Sequence, residues 1–171
     1  TKGRAYSIPA SDIPGGKGDG VPATSLADFV GGGLPPLAHV VSPERAYLVA
    51  ADGGYGFRCR GEDFLSRGKA GKAFLTLGDG ESPAVFMPAP AGGEVACLTR
   101  DGRALVFPVD EIRLLPRGRG LKLIEADPGK TALSEIVPVV DGAAGRLRGE
   151  RLEICRGNRG ARGRPVKATR R

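Results

Sequence analysis

Residues 47–59 read YLVAADGGYGFRC, two short apolar runs joined by Asp-Gly-Gly. Residues 94–107 repeat this arrangement as EVACLTRDGRALVF. Apolar runs joined by Asp-Gly are the strongest local signal for a β-hairpin, because a type I′ turn needs positive φ and glycine tolerates it. The sequence therefore predicts two hairpins whose starts lie roughly 50 residues apart, the spacing of a structural repeat.

A glycine-rich basic segment follows each hairpin, and the same combination occurs at four places. A regular period of about 40 to 50 residues is typical of stacked or radially repeated units. Residues 3–8 match the second arm of a hairpin, so the sequence looks like a fragment of a longer repeat. We name the basic segments loop 1 (residues 15–20), loop 2 (67–72), loop 3 (117–122) and loop 4 (156–164).

The repeat predicts the fold class. A lone hairpin is marginal in water, so neighbouring units must share a core, and antiparallel sheets arranged radially leave only short edges. We therefore expect one all-β domain over residues 1–171, a propeller-like disc of about four hairpin-based blades. The units are residues 1–36, 37–80, 81–130 and 131–171.

Shorter elements are expected along the rest of the chain. Acidic and apolar segments at 11–14, 62–65 and 110–115 are long enough for one helical turn each. Residues 21–36 should cross between units without a helix, because they contain Gly-Gly-Gly and Pro-Pro. Additional strands are expected at 37–41, 73–77, 84–87, 122–124 and 135–140, with a last hairpin within 146–155.

The composition is typical of a globular protein, because 40% of the 171 residues are hydrophobic. The sequence contains no apolar stretch long enough to span a membrane. No hydrophobic signal region opens the sequence, so a soluble, cytoplasmic protein is expected. The net charge of +7 is C-terminal: residues 146–171 hold ten cations against Glu150 and Glu153. Such a tail attracts any polyanion, and a merely solubilising terminus stays an alternative.

Residues for catalysis or metal binding are not grouped in the sequence. Cys59, Cys97 and Cys155 lie far apart in apolar runs, which predicts reduced, buried thiols. His39 has no Cys or His at ligand spacing, and the carboxylates of the short turns have no histidine or nucleophile beside them. We therefore expect no enzyme activity, metal or cofactor in this domain.

The basic loops fit a duplex backbone. They lack the phosphate-loop pattern of nucleotide-binding proteins, and the absence of tryptophan disfavours base stacking. Glycine lets main-chain N–H groups approach phosphate, while lysine and arginine supply charge, so readout by shape and charge is expected. The predicted DNA-binding residues are Lys17, Arg67, Lys69, Lys72, Arg117, Arg119, Lys122, Arg156, Arg159, Arg162 and Arg164.

Segments 54–57, 67–77, 104–109 and 118–122 resemble successive blades of the C-terminal domain of the bacterial topoisomerase IV A subunit. The resemblance covers nearly the whole chain. It implies a β-pinwheel, in this case a fragment of a larger one, whose blades exchange a strand. It also implies a non-catalytic domain that binds and bends DNA for a type IIA topoisomerase, in support of decatenation and supercoil relaxation.

The resemblance implies partners too: double-stranded DNA, the rest of the DNA-cleaving A subunit, the ATPase B subunit, and a chromosome-organising, condensin-like complex on the nucleoid. ATP and Mg would belong to the whole enzyme. The wrapping domain of gyrase A is an alternative, although residues 14–18 lack the Gln and both Arg of the gyrase box. A propeller-like protein-interaction module and an RNA-binding protein, each with a basic tail, also stay open.

Overall fold

The computed structural model describes residues 2–30 and 38–166, whose regular elements are mostly short β-strands joined by turns and loops. Two helices of one turn are α1, Ala23–Leu26, and α2, Glu150–Glu153, and 3-10 turns lie at Ala10–Asp12, Gly61–Phe64 and Val109–Glu111. The strands are β1 Arg4–Ala5, β2 Ala46–Ala51, β3 Tyr55–Arg60, β4 Lys72–Ala73, β5 Pro83–Pro88, β6 Glu94–Thr99, β7 Arg103–Pro108, β8 Leu121–Lys122, β9 Leu133–Pro138, β10 Ala143–Ala144, β11 Leu147–Arg148 and β12 Arg164–Pro165.

Both predicted hairpins are confirmed, as β2–β3 and β6–β7. Gly54 and Gly102 close the turns with φ of +84° and +78°. Each donates its N–H to the residue three positions earlier at 3.0 Å. Only glycine adopts this backbone at little cost, so a glycine is required where each turn closes. The predicted type I′ geometry is wrong, because it needs positive φ at both central residues and each turn has positive φ at one glycine alone.

Each hairpin is the centre of a four-stranded antiparallel sheet, with strand orders β5-β2-β3-β8 and β9-β6-β7-β12. The fourth strand of each sheet comes from beyond the next hairpin or turn in the chain: β8 follows β7, and β12 follows α2. In the same way β4 follows β3 but pairs with β1. The late strands β4, β8 and β12 are thus each paired with the second hairpin arm of the preceding unit.

Alternating side chains divide the core into layers between successive sheets. In β2, Leu48 and Ala50 belong to a cluster shared with β6 and β7, while Tyr47 and Val49 belong to a cluster shared with β3 and the region of β4. Both faces of the central strands are thus buried, as expected of stacked blades. The third cluster joins the outer face of β6 and β7 to α2.

The predicted all-β, propeller-like fold is confirmed. The helical turns predicted at 11–14, 62–65 and 110–115 are confirmed as 3-10 turns that begin one residue earlier. The unit boundaries stay a prediction, because the four-stranded sheets take strands from more than one unit.

Several strand predictions are wrong. Residues 38–41 form no strand, and residue 37 lies outside the described part; the neighbour of β2 is instead β5. Residues 146–155 contain the two-residue strand β11, which pairs with β10 just before this range, and then α2. Gly149 ends β11 with φ +54°, and the residues after it are good helix formers. The one-turn helix α1 interrupts the expected crossing, where Pro22 precedes the first helical residue.

The closing strands are also shorter than predicted: β4 ends at residue 73 and β8 at residue 122. In the described residues, no helix is long and apolar enough to cross a membrane.

Candidate nucleic-acid interface

Loops 2, 3 and 4 occupy the same position in successive units. Each follows a turn of helix and ends in an exchanged strand: loop 2 in β4, loop 3 in β8 and loop 4 in β12. Because an exchanged strand joins the sheet of the preceding unit, each loop is brought to the edge of that sheet.

Main-chain hydrogen bonds hold loop 3 against the segment that leaves loop 2. Gly118 donates its N–H to the Phe74 carbonyl at 2.9 Å, and the Gly118 carbonyl accepts from Thr76 at 2.9 Å. These two bonds make a parallel bridge at the edge of the sheet.

Loop 4 is held in the same way by the segment that leaves loop 3. Gly160 donates to the Leu123 carbonyl at 2.8 Å, and Ala161 accepts from Glu125 at 2.9 Å. The three loops therefore lie side by side along one edge of the repeat. We call loops 2, 3 and 4 together the basic belt.

A glycine directly before each exchanged strand allows the loop to meet its neighbour. Gly120 has φ +79°, and a Cβ on it would lie 2.0 Å from the Gly56 carbonyl oxygen of β3. No side chain fits at this distance, so glycine is required for packing as well as for conformation. The corresponding positions in loops 2 and 4 are Gly71, 2.5 Å from the Ala5 oxygen, and Gly163, 2.8 Å from the Ala104 oxygen.

Most cations of the belt are exposed. Lys72 and Arg159 are half-buried, and Arg159 donates from Nη1 to the Lys122 carbonyl at 2.7 Å. Lys69 donates from Nζ to the Ser25 carbonyl at 2.9 Å. Several exposed belt cations have no carboxylate of the described residues within 4.0 Å. They are Arg67, Lys69, Arg117, Lys122, Arg162 and Arg164.

Two belt arginines are engaged by carboxylates. Arg119 binds Glu81 at 2.8 Å, and Arg156 binds Glu94 with bonds of 2.5 to 3.2 Å and also pairs with Glu153. The hydrogen bonds from Arg156 hold the pKa of Glu94 below its ordinary value. The free positive charge that these two arginines offer a polyanion is therefore reduced.

Loop 1 is not hydrogen-bonded to the belt in the described part of the chain. Lys17 is exposed, and among the main-chain hydrogen bonds of the described residues none joins residues 15–20 to another loop. The bonds that bring loops 2, 3 and 4 together do not include the remaining predicted loop. The assignment of the eleven cations to DNA contact stays a prediction.

The three cysteines are buried and free, as predicted. Burial raises the pKa of Cys59 to about 12, and it raises the pKa of Cys97 and Cys155 as well. These thiols are therefore neutral packing groups at physiological pH. Among residues 2–30 and 38–166, no three His, Cys, Asp or Glu side chains are grouped to hold a metal ion.

Residues that hold the belt were not identified from the sequence. Arg4 and Arg103 each donate a hydrogen bond to a carbonyl oxygen of a basic loop. The Arg119 guanidinium lies over Tyr55, 4.3 Å from the centroid of the Tyr55 ring. One signal was present: each of these three residues directly follows a glycine in the repeat.

Comparison with known proteins decides the family. The family model described as "DNA gyrase C-terminal domain, beta-propeller" matches residues 1–28, 47–82 and 93–133, which is more than half of the chain. The chain belongs to this DNA gyrase C-terminal domain family. The matched ranges contain β6–β7, all but the first residue of β2–β3, and loops 1, 2 and 3.

Individual members of the family are similar over most of the chain. The DNA topoisomerase 4 A subunit of Neisseria gonorrhoeae is 36% identical over 95% of this chain, and that of Pseudomonas aeruginosa is 33% identical over 94%. The match covers 23% and 24% of those proteins, so the chain spans about a quarter of the length of the curated relatives.

Solved structures agree with the fold. The E. coli ParC C-terminal domain superposes with a TM-score of 0.81 at 30% identity, over 99% of this chain and 75% of that one. A DNA gyrase A C-terminal domain superposes with a TM-score of 0.58 at 21% identity, over 73% of this chain and 44% of that one, which supports the fold alone.

Proposed function

We propose that this domain binds duplex DNA on the basic belt, without sequence preference, and bends it. The observation that carries the proposal is the side-by-side placement of loops 2, 3 and 4, each with exposed cations that no carboxylate neutralises in the described part of the chain. Phosphates of a duplex repeat along a continuous path, so a row of cationic loops suits them better than one cluster would.

The main chain of loop 2 is also open to a ligand. Around Gly68, apart from the glycine itself and its two chain neighbours, no heavy atom of the described residues lies within 4 Å of the place where a Cβ would stand. Backbone N–H groups and cationic side chains contact phosphate oxygens without reading the bases. Such contacts fix the position of a duplex but carry no sequence information.

Bending requires several loops to act together. Bending a 20 to 30 base-pair duplex costs on the order of 1 to 6 kcal/mol, more than one exposed cation contributes. A belt of three loops spreads the contacts along the duplex, and the bend then increases the number of phosphates that reach a cation.

In the whole enzyme, this domain would hold DNA while chemistry takes place elsewhere. We place strand cleavage in the rest of a topoisomerase IV A subunit and ATP hydrolysis with Mg in its partner B subunit, on the nucleoid in the cytoplasm, and assign no cofactor to this domain. A condensin-like complex is a further proposed partner. The names of the relatives support this assignment, since they are A subunits of DNA topoisomerase 4.

Fluorescence anisotropy tests the proposal. The domain is titrated into a labelled 30 base-pair duplex and into single-stranded RNA, and end-to-end energy transfer in a doubly labelled duplex reports bending. The variant Arg67→Ala/Lys69→Ala/Lys72→Ala should bind duplex more weakly and bend it less, on unrelated sequences alike.

The matched control removes three exposed cations outside the loops, Arg45, Arg100 and Lys130. Its net charge equals that of the loop 2 variant. If the control loses as much affinity as the loop 2 variant, net charge rather than the belt binds DNA. Tighter binding to the RNA would favour the alternative of an RNA-binding protein.

A further inference from the structure

The residue that opens each second hairpin arm contacts the basic loop of the next unit. Gly3, Gly54 and Gly102 are equivalent, because each accepts hydrogen bonds from the exchanged strand or the residues just after it. The residues that follow these glycines are Arg4, Tyr55 and Arg103.

In the first unit, Arg4 clamps loop 2. Its guanidinium donates to the Ala70 carbonyl at 2.9 and 3.2 Å and to the Gly71 carbonyl at 3.1 Å. A planar guanidinium that spans two successive carbonyls fixes the direction of the backbone.

In the second unit, Tyr55 supports loop 3 through Arg119. The Arg119 guanidinium lies 4.3 Å from the Tyr55 ring centroid and binds Glu81, whose side chain is only 5% exposed. Glu81 also accepts the Gly78 N–H at 2.5 Å. The Arg119 side chain is therefore held between a ring and a fixed carboxylate, on the protein side of the loop.

In the third unit, Arg103 supports loop 4 and is itself buried, with 6% of its surface exposed. Its Nη1 donates to the Arg162 carbonyl, and its Nε donates to Asp101 Oδ2 at 2.6 Å. Asp101 in turn accepts from the Thr99 hydroxyl at 2.5 Å. The chain of bonds orients the guanidinium toward loop 4.

The three contacts share one register. The strand partners of Arg4, Tyr55 and Arg103 are Ala73, Lys122 and Pro165. Each contact reaches the residue three positions before that partner: Ala70, Arg119 and Arg162. Three different contacts thus occupy the same position in three successive units, which independent chance contacts would not do.

We propose that Arg4, Tyr55 and Arg103, with Glu81 and Asp101, are positioning residues that set the basic loops for phosphate binding. This inference rests on the proposed function. The DNA surface is then composite: each loop supplies the cations, and the preceding unit fixes their direction. Arg119 acts in this scheme as a support for loop 3, while Arg117 and Lys122 face the DNA.

Removing a carboxylate that positions a loop should weaken DNA binding, although it makes the domain more positive. Glu81→Gln and Asp101→Asn each raise the net charge by one, so attraction alone would tighten DNA binding. Positioning predicts the opposite, about three- to tenfold weaker binding, which corresponds to the loss of one ordered hydrogen bond. The salt dependence of affinity should also become less steep, because fewer phosphates are neutralised.

The experiment compares these variants with Glu125→Gln, which neutralises an exposed carboxylate just after loop 3 and makes the same charge change. Duplex affinity and its salt slope are measured for all, with thermal midpoints as a check of folding. Glu125→Gln should bind as tightly as the wild type or more tightly, and Glu81→Gln and Asp101→Asn more weakly. Tyr55→Phe, which keeps the ring, should retain the affinity that Tyr55→Leu loses.

Two outcomes would overturn the proposal, and they are distinguishable. If the wild type binds duplex and both Glu81→Gln and Asp101→Asn bind as tightly as Glu125→Gln, the positioning role alone is wrong. If the wild type does not bind duplex, the proposed function fails and the positioning role with it. Should Glu81→Gln not fold, equal affinities of Tyr55→Phe and Tyr55→Leu would overturn the role of Tyr55.

Discussion

Strand exchange depends on a glycine that a methyl group would disrupt, and Gly120→Ala tests this dependence. The residue precedes β8 with φ +79°, and its Cβ would lie 2.0 Å from the Gly56 oxygen and 2.4 Å from the Gly56 carbonyl carbon. Both neighbours are backbone atoms of a central strand and have no room to move. The substitution should therefore displace β8 from its sheet.

The expected loss of folding free energy has two contributions. A left-handed backbone costs a non-glycine residue roughly 1–2 kcal/mol. Displacing β8 also removes the pairing with β3 and the bond from Leu123 N–H to the Gly54 carbonyl, at about 1 kcal/mol for each hydrogen bond lost. We expect Gly120→Ala to lower the free energy of unfolding by about 3 to 5 kcal/mol.

Gly80→Ala is the matched control, because Gly80 has φ +71° but, apart from its own atoms and its two chain neighbours, no heavy atom of the described residues lies within 4 Å of its Cβ position. It should cost only the conformational part, roughly 1–2 kcal/mol. Urea unfolding followed by circular dichroism measures both variants. Equal losses in the two would refute the close approach of loop 3 to β3 as the reason for this glycine.

Three further predictions concern the thiols, acid stability and the paired arginine. Because burial raises the thiol pKa, to about 12 for Cys59, a disulfide reagent at pH 8 should react slowly with the native protein and modify three thiols after denaturation. The pKa of Glu94 is lowered in the folded protein, so its ion pair stabilises the fold above about pH 4.3 and this stability is lost as the pH falls. Glu94→Gln should therefore lose less stability between pH 6 and pH 3 than the wild type, by about 1 kcal/mol for a partly exposed pair; an identical acid profile would contradict this. Arg156→Ala should change the salt slope of DNA binding less than Lys122→Ala, since carboxylates already neutralise Arg156; an equal change would show that Arg156 meets phosphate.

The two hairpins could be predicted from the sequence because their signal is local. Asp-Gly turns and flanking apolar runs specify β2–β3 and β6–β7 within about 15 residues of chain. The exchanged strands have no comparable signal: β8 pairs with β3 through only two residues, at long sequence separation. Their short length also explains why the closing strands were predicted too long.

The last hairpin was predicted wrongly because apolar residues in 146–155 suit either structure. Gly149, at φ +54°, starts α2 there, and Leu152 is buried against the outer face of β6 and β7. Tertiary packing decided between helix and strand, as it commonly does for short segments.

The candidate site was predictable in its cations but not in their partners. Cation-glycine clusters identify the loops directly, and the period places them at equivalent positions. Glu81, which engages Arg119, and Glu94, which engages Arg156, lie 38 and 62 residues away in sequence. Only Glu153, which also pairs with Arg156, is near in sequence, at three residues. The distant carboxylates leave no local pattern, so the sequence does not separate the neutralised arginines from the other cations.

The salt dependence of duplex affinity tests DNA binding by the belt most directly. If the loops neutralise about six to eight phosphates, log K against log salt should have a slope of about −5 to −7. The variant Arg67→Ala/Lys69→Ala/Lys72→Ala should reduce the magnitude of that slope by about one to two units. A full slope in this variant, together with loss of binding when residues 167–171 are deleted, would contradict the belt and assign DNA binding to those last five residues.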